Sequence, residues 1–163
     1  MNNKKKSKNI LKILNKIYPR VAIPLKHKNL FTLLVSVTLS AQTTDVNVNK
    51  ATRKIYPKYN KPKHFVKLGR KKIEKLIKTL GFYRNKAKSI YLLSKQLIEK
   101  HEGKVPGNFE DLENLHGVGH KTASVVMSQG FGYAAFPVDT HIHRLAQRWG
   151  LTNGKNVVQT EKD

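Results

Sequence analysis

Cysteine is absent from the 163 residues, so disulfides, thiolate metal sites and cysteine nucleophiles are all excluded. Acid is scarce: ten Asp and Glu stand against 32 Lys and Arg, a formal charge of +22. An excess of that size concentrates polyanions, with nucleic acid the first partner to consider and an anionic membrane surface the second. Only six of the 32 are arginine, so part of the excess is a lysine-biased composition. A long hydrophobic run is missing too. The longest apolar stretch, LFTLLVSVTLSA, carries hydroxyls and is too short to cross a bilayer. The start, MNNKKKSKNI, has neither an apolar signal core nor a small-residue cleavage site, which argues against secretion. Together these absences describe a soluble intracellular chain, with room for one domain or two small lobes.

The charge is unevenly spread. Through residue 98 there are 25 Lys and Arg against Asp45 and Glu74, whereas from Glu99 onward seven basic residues meet eight acidic ones. The basic surface therefore belongs mainly to the first part. Lys121, in LHGVGHKTASVV, stands in a stretch that is close to neutral.

Helical periodicity dominates the chain. Ile73, Leu76, Ile77 and Leu80 fall at i, i+3, i+4 and i+7, and Gly81 supplies a stop. Ala87, Ile90, Tyr91, Ser94, Leu97 and Ile98 repeat the pattern in a segment that ends before Gly103. Leu30 to Ala41 reads as a helix buried nearly all round. TTDVNVNKATRKIYP begins with capping residues and stops at Pro57, and Asp139-Thr140 can cap a helix running to about Trp149. No alternating run competes for strand, so the expected class is all-α.

LENLHGVGHKTASVV reads as a short helix, a hairpin over 115–121 and a second helix. Gly117 and Gly119 are expected to allow positive backbone angles and close approach, while Leu115 and Val118 pin the turn to the core. The second helix would then offer unpaired N–H groups and a partial positive charge to a phosphate. An ordinary helix–helix turn has the same local signature, because short glycine motifs are weak evidence.

The blocks LLVSVTLSAQTTDVNVNKAT, LGFYRNKAKSI, VPGNFEDLENLHGVGHKTASVV and FPVDTHIHR decide more. In order and spacing the chain resembles the endonuclease III family, the DNA glycosylases/AP lyases of the helix-hairpin-helix superfamily, from about Leu30 to Gln159. That resemblance implies a helical barrel lobe over 23–135 and an incomplete second lobe made of 1–22 with 136–163. It also implies a monomer that binds double-stranded DNA carrying a damaged base or an abasic site, in the nucleoid of a bacterial cytoplasm. The activity implied is excision of oxidised pyrimidines followed by strand cleavage through β-elimination.

By the same resemblance Lys121 is the nucleophile that attacks the sugar C1′ and forms a Schiff base. Any lysine nucleophile must first lose its proton. Carrying a lysine from pKa ~10.4 to ~7.5 costs about 4 kcal/mol, whereas a helix N-terminus offers ~0.3–1 kcal/mol, up to ~2 when partly buried. Desolvation beneath a bound nucleotide, or a nearby base, must supply the balance. Asp139 matches the family's catalytic aspartate, although a plain N-cap would look the same. His141 follows where the family touches the DNA backbone. Gln42 matches the residue that fills the gap left by an extruded nucleotide, and Phe82 the wedge against the opposite strand. Locally, Gly81-Phe82 also looks like a helix C-cap with its hydrophobic follower. Leu115, Gly117, Val118, Gly119 and His120 complete the expected DNA-contacting turn.

Three departures qualify the match. His116 stands where proline is common, and His120 where a basic residue is common. Relatives continue past GKNVVQTEKD into more helix and usually a four-cysteine iron–sulfur loop, so no cofactor is expected in this chain: the 4Fe-4S cluster cannot form without cysteines. The ending at Asp163 opens a second expectation, a truncated relic that binds DNA without turning it over.

Overall fold

Ten helices make up the regular structure of the described residues, 3–19, 21 and 23–163 of the computed structural model, and no strand occurs among them. Met1, Asn2, Arg20 and Ala22 of the expected N-terminal segment lie outside the described residues. The helices are α1 (Asn3–Ile17), α2 (Leu30–Ser40), α3 (Asp45–Thr52), α4 (Pro62–Leu68), α5 (Arg70–Leu76), α6 (Tyr83–His101), α7 (Phe109–Glu113), α8 (His120–Phe131), α9 (Thr140–Arg148) and α10 (Val157–Lys162). The all-α expectation holds. No described helix is long and apolar enough to cross a membrane.

The chain divides into two units, Pro24–Ala135 and Met1–Ile23 with Phe136–Asp163. In the larger unit α6 packs against α4 and α5, and α2 packs against α3, α6 and α8. Every residue of α2 from Phe31 to Leu39 is buried, as its unbroken apolar character required. Its hydroxyls are satisfied inside the protein. Ser36 Oγ lies 2.6 Å from Tyr56 Oη and 3.2 Å from the Lys26 carbonyl, Tyr56 donates to the Thr32 carbonyl at 3.1 Å, and Thr38 bonds back to Leu34. Burying them unbonded would cost about 1–3 kcal/mol each. A capping box at Asn29 and Thr32 fixes where α2 begins.

Two expected helix ends move. The helix at Ile73 stops at Leu76 rather than running on to Gly81. Ile77 and Leu80 are still buried, but from a turn, and Leu76 is 38% exposed. Apolar spacing reported which side chains face the core without reporting whether the backbone between them stays helical. Likewise α3 ends at Thr52, five residues before Pro57, because Ile55 and Tyr56 turn inward through bonds to the Thr52 carbonyl.

In the smaller unit the amides of α9 begin on Asp139, and α10 packs on α9. His143 Nδ1 sits 2.6 Å from Thr160 Oγ1. Lys6 and Asn3 of α1 donate to the carbonyls of Gly150 and Leu151, at 3.0 and 3.1 Å.

Candidate nucleic-acid interface

The turn between α7 and α8 is held from beneath by α6. Leu115 and Val118 are 3% and 6% exposed, so their side chains anchor the turn in the core. At Gly117 the backbone is left-handed, φ +80°, and a Cβ there would lie 2.5 Å from Ser89 Oγ. Only glycine satisfies both conditions. Two turns further along α6, Gln96 receives the His116 N–H on Oε1 at 2.7 Å and donates Nε2 to the Asn114 carbonyl at 3.1 Å. Its amide grips both arms of the turn.

Gly119 departs from expectation. Its φ is −96° and ψ 175°, extended backbone open to any residue, and a Cβ would meet nothing within 4 Å. The fold does not need a glycine there. Gly119 is the N-cap of α8, no side chain caps the helix, and the first ring-closing bond runs from Ala123 N–H to the Gly119 carbonyl at 2.9 Å. The amides of His120, Lys121 and Thr122 come before that bond, in the turn where a helix presents its positive end.

His120 is placed by α7. Its Nδ1 lies 2.6 Å from Glu113 Oε1, and its ring stacks on Phe109 with centroids 5.5 Å apart. Lys121 is exposed and occupies the second position of α8.

Gln42 and Phe82 lie on two other connections of the same unit. Both are exposed, and both have left-handed backbones, φ 53° and 56°. Phe82 is the N-cap of α6 and 65% exposed. The C-cap reading of Gly81-Phe82 is therefore corrected: no helix ends at Gly81, and Phe82 opens α6 instead. Lys86, buried one turn into α6, donates to Thr43 Oγ1, and burial holds its ammonium below the usual lysine range.

Asp139 belongs to the smaller unit. Its Oδ1 accepts the N–H groups of His141 and Ile142 at 3.0 and 2.9 Å, so it does cap α9. His141 is exposed, with the Arg144 guanidinium 3.4 Å from its Nδ1.

Sequence reasoning missed Ser89, Gln96, Glu113, Phe109, Thr43 and Lys86. The one available signal was spacing: Ser89 and Gln96 are seven apart, hence on one face of α6.

Residues 35–163 match the model of the HhH-GPD superfamily base excision DNA repair proteins. Endonuclease III of Haemophilus influenzae is 44% identical over 160 residues, 98% of this chain and 76% of the relative. The chain belongs to the endonuclease III family. Endonuclease III of Escherichia coli gives the same figures, 44% identity with 98% and 76% coverage. Among solved structures, a trapped endonuclease III–DNA covalent intermediate superposes with a TM-score of 0.92 at 40% identity, over 99% of this chain and 76% of that one. A thermostable thymine-DNA glycosylase gives 0.83 at 26%, over 98% and 78%. Membership makes this chain a base-excision repair DNA glycosylase of the endonuclease III type. The iron–sulfur cluster implied by the family does not fit the residues present. The chain has no thiolate to offer, and among the described residues no group of three or more His, Asp and Glu could hold a metal ion.

Proposed function

We propose that this chain removes a damaged base from double-stranded DNA and then cuts the strand, with Lys121 as the nucleophile. What carries the reading is the position of that lysine. It is exposed at the second residue of α8, just after a glycine turn in which a Cβ added at Gly119 would meet nothing within 4 Å. A phosphate seated on the first-turn amides would bring the sugar–phosphate strand to the lysine. The DNA-bound and covalently trapped endonuclease III structures support contact of this kind.

The chemistry then follows from an amine. As Nζ bonds to C1′, the glycosidic bond breaks and the damaged base leaves with the electron pair and a proton. Opening of the sugar ring gives the Schiff base, whose positive nitrogen acidifies the C2′ proton. Loss of that proton and departure of the 3′ phosphate cut the strand, and water then releases the enzyme. Asp139 is proposed to stabilise positive charge at the sugar during base departure, a role compatible with capping α9 through Oδ1.

Gln42 and Phe82 are proposed to enter the base stack, Gln42 in the space of the extruded nucleotide and Phe82 against the opposite strand. Their exposure and strained backbones suit side chains that fill space in a partner rather than in their own core. Leu115 and Val118, buried, can offer only backbone to DNA. His120 and His141 are proposed to lie along phosphates. No step requires a metal or cluster, and oxidised pyrimidines are the proposed lesions.

Borohydride trapping tests the reading. Duplex bearing an abasic site or oxidised thymine, incubated with the wild-type chain and reduced, is expected to give a covalent complex that Lys121→Ala does not form. DNA binding by the wild type without any adduct would leave a binding module and overturn the enzymatic proposal.

A further inference from the structure

Three non-glycine residues among those described have positive φ: Gln42, Phe82 and Glu102. Glu102 ends a helix, where a left-handed residue is ordinary. Gln42 lies in the turn that closes α2, just past its C-cap Ala41, with the Thr43 N–H donating to the Ser40 carbonyl at 3.1 Å. Phe82 ends no helix, and a bulky residue such as phenylalanine in this region is an outlier that its surroundings must hold in place. The two lie on separate connections, and one side chain joins them. The Lys86 backbone N–H donates to the Phe82 carbonyl at 3.0 Å, the first bond of α6. Its Nζ donates to Thr43 Oγ1, on the residue next to Gln42. Lys86 is 6% exposed and is the one charged residue on the buried face of α6, beside Ala87, Ile90, Leu93, Ser94 and Leu97. Burial disfavours its charge, as its lowered pKa reflects. An unbranched apolar side chain would fill the same space without that penalty, so packing gives no reason for a lysine here.

We propose that Lys86 is a positioning residue, a strap from α6 to Thr43 that sets the spacing of Gln42 and Phe82 so that both enter the base stack as one unit. The inference rests on the reading that those two side chains insert into DNA. With the strap cut, each connection relaxes separately, and extrusion of a well-paired nucleotide loses its coordinated wedge. A nucleotide that is already unstacked needs no such help, so the defect depends on the substrate.

The first arm of the test requires no catalysis. A duplex carries tetrahydrofuran, an uncleavable abasic analogue, opposite 2-aminopurine, whose fluorescence rises on unstacking. Saturating wild-type protein is expected to raise the signal. Lys86→Met and Thr43→Val are each expected to reduce the rise at least threefold, and the double variant no further than either alone. Both should bind undamaged duplex within twofold of wild type. On a duplex with the opposite base omitted, so that no wedge is needed, single-turnover base excision by both variants should match wild type, while on a paired lesion it falls tenfold or more. Lys86→Gln, which keeps a donor, should recover part of the signal. Should Lys86→Met fail to fold, Thr43→Val, which leaves α6 intact, carries the comparison. Wild-type signals in both variants, additive losses, or equal losses on paired and unpaired substrates would overturn the proposal. A wild-type rise without any borohydride adduct overturns the enzymatic reading alone; no wild-type rise overturns this one.

Discussion

At Gly117 an added methyl group would lie 2.5 Å from Ser89 Oγ on a left-handed backbone, whereas at Gly119 it would meet nothing and the backbone is extended. Gly117→Ala should therefore destabilise the protein by about 1–3 kcal/mol, read as a lower urea midpoint. Gly119→Ala, which only puts a poorer N-cap on α8, should cost less than about 1 kcal/mol in stability and weaken binding to abasic DNA. Equal effects of the two variants on stability would contradict the assignment. Asp139 allows a similar separation. Asn keeps an oxygen for the His141 and Ile142 amides, while Ala removes the cap at a cost of about 1 kcal/mol. If the carboxylate also acts at the sugar, Asp139→Asn melts like wild type yet loses single-turnover excision. Full activity in Asp139→Asn would reduce the residue to a cap.

At the scale of elements, the helix–turn–helix of α7 and α8 owes its shape to α6 as much as to its own glycines. Gln96→Leu removes both bonds to the turn and leaves the His116 amide and Asn114 carbonyl without that partner. Amide exchange at His116 should quicken, with a loss of about 1–3 kcal/mol in stability; unchanged exchange would show that the turn holds itself. The buried phenol of Tyr56, bonded to Ser36 and Thr32 of α2, sets a pH limit. Burial raises the Tyr56 phenol above its ordinary value. Above pH ~10 an unfolded tyrosine ionises while the folded one keeps its proton, so folded protein binds more protons and stability falls as pH rises. Below pH ~10 that contribution is fully present. Tyr56→Phe should be less stable near neutrality, having lost its bonds to Ser36 and Thr32, yet show a shallower alkaline decline in melting temperature.

Which elements were legible follows the same logic. Helix α2, the hairpin and the Asp139 cap could be read because their causes are at least partly local: a largely apolar run, a glycine at 117, and a carboxylate before a helix. The early end of α5, helix α4, and the roles of Ser89, Gln96 and Lys86 could not. Each depends on which side of a helix meets another element, and a polar residue on an amphipathic helix gives no sign that it faces inward.

For the whole molecule, both units carry net positive charge, with the cations concentrated before residue 99. Such a field draws DNA in without choosing a lesion. Choice must come from the connections carrying Gln42 and Phe82 and from the chemistry at α8, where charge is close to balanced. The family match over residues 35–163 and the superposition on DNA-bound endonuclease III were visible in the ordered sequence blocks. The residues that stiffen the frame were not.

Peptide mapping of the borohydride-reduced complex tests the central claim most directly. Digestion and mass spectrometry should find the reduced sugar remnant on the peptide containing Lys121, and on that lysine alone, despite the many others in the chain. A remnant on any other lysine, or none from protein shown to be bound to the abasic duplex, would contradict the assignment.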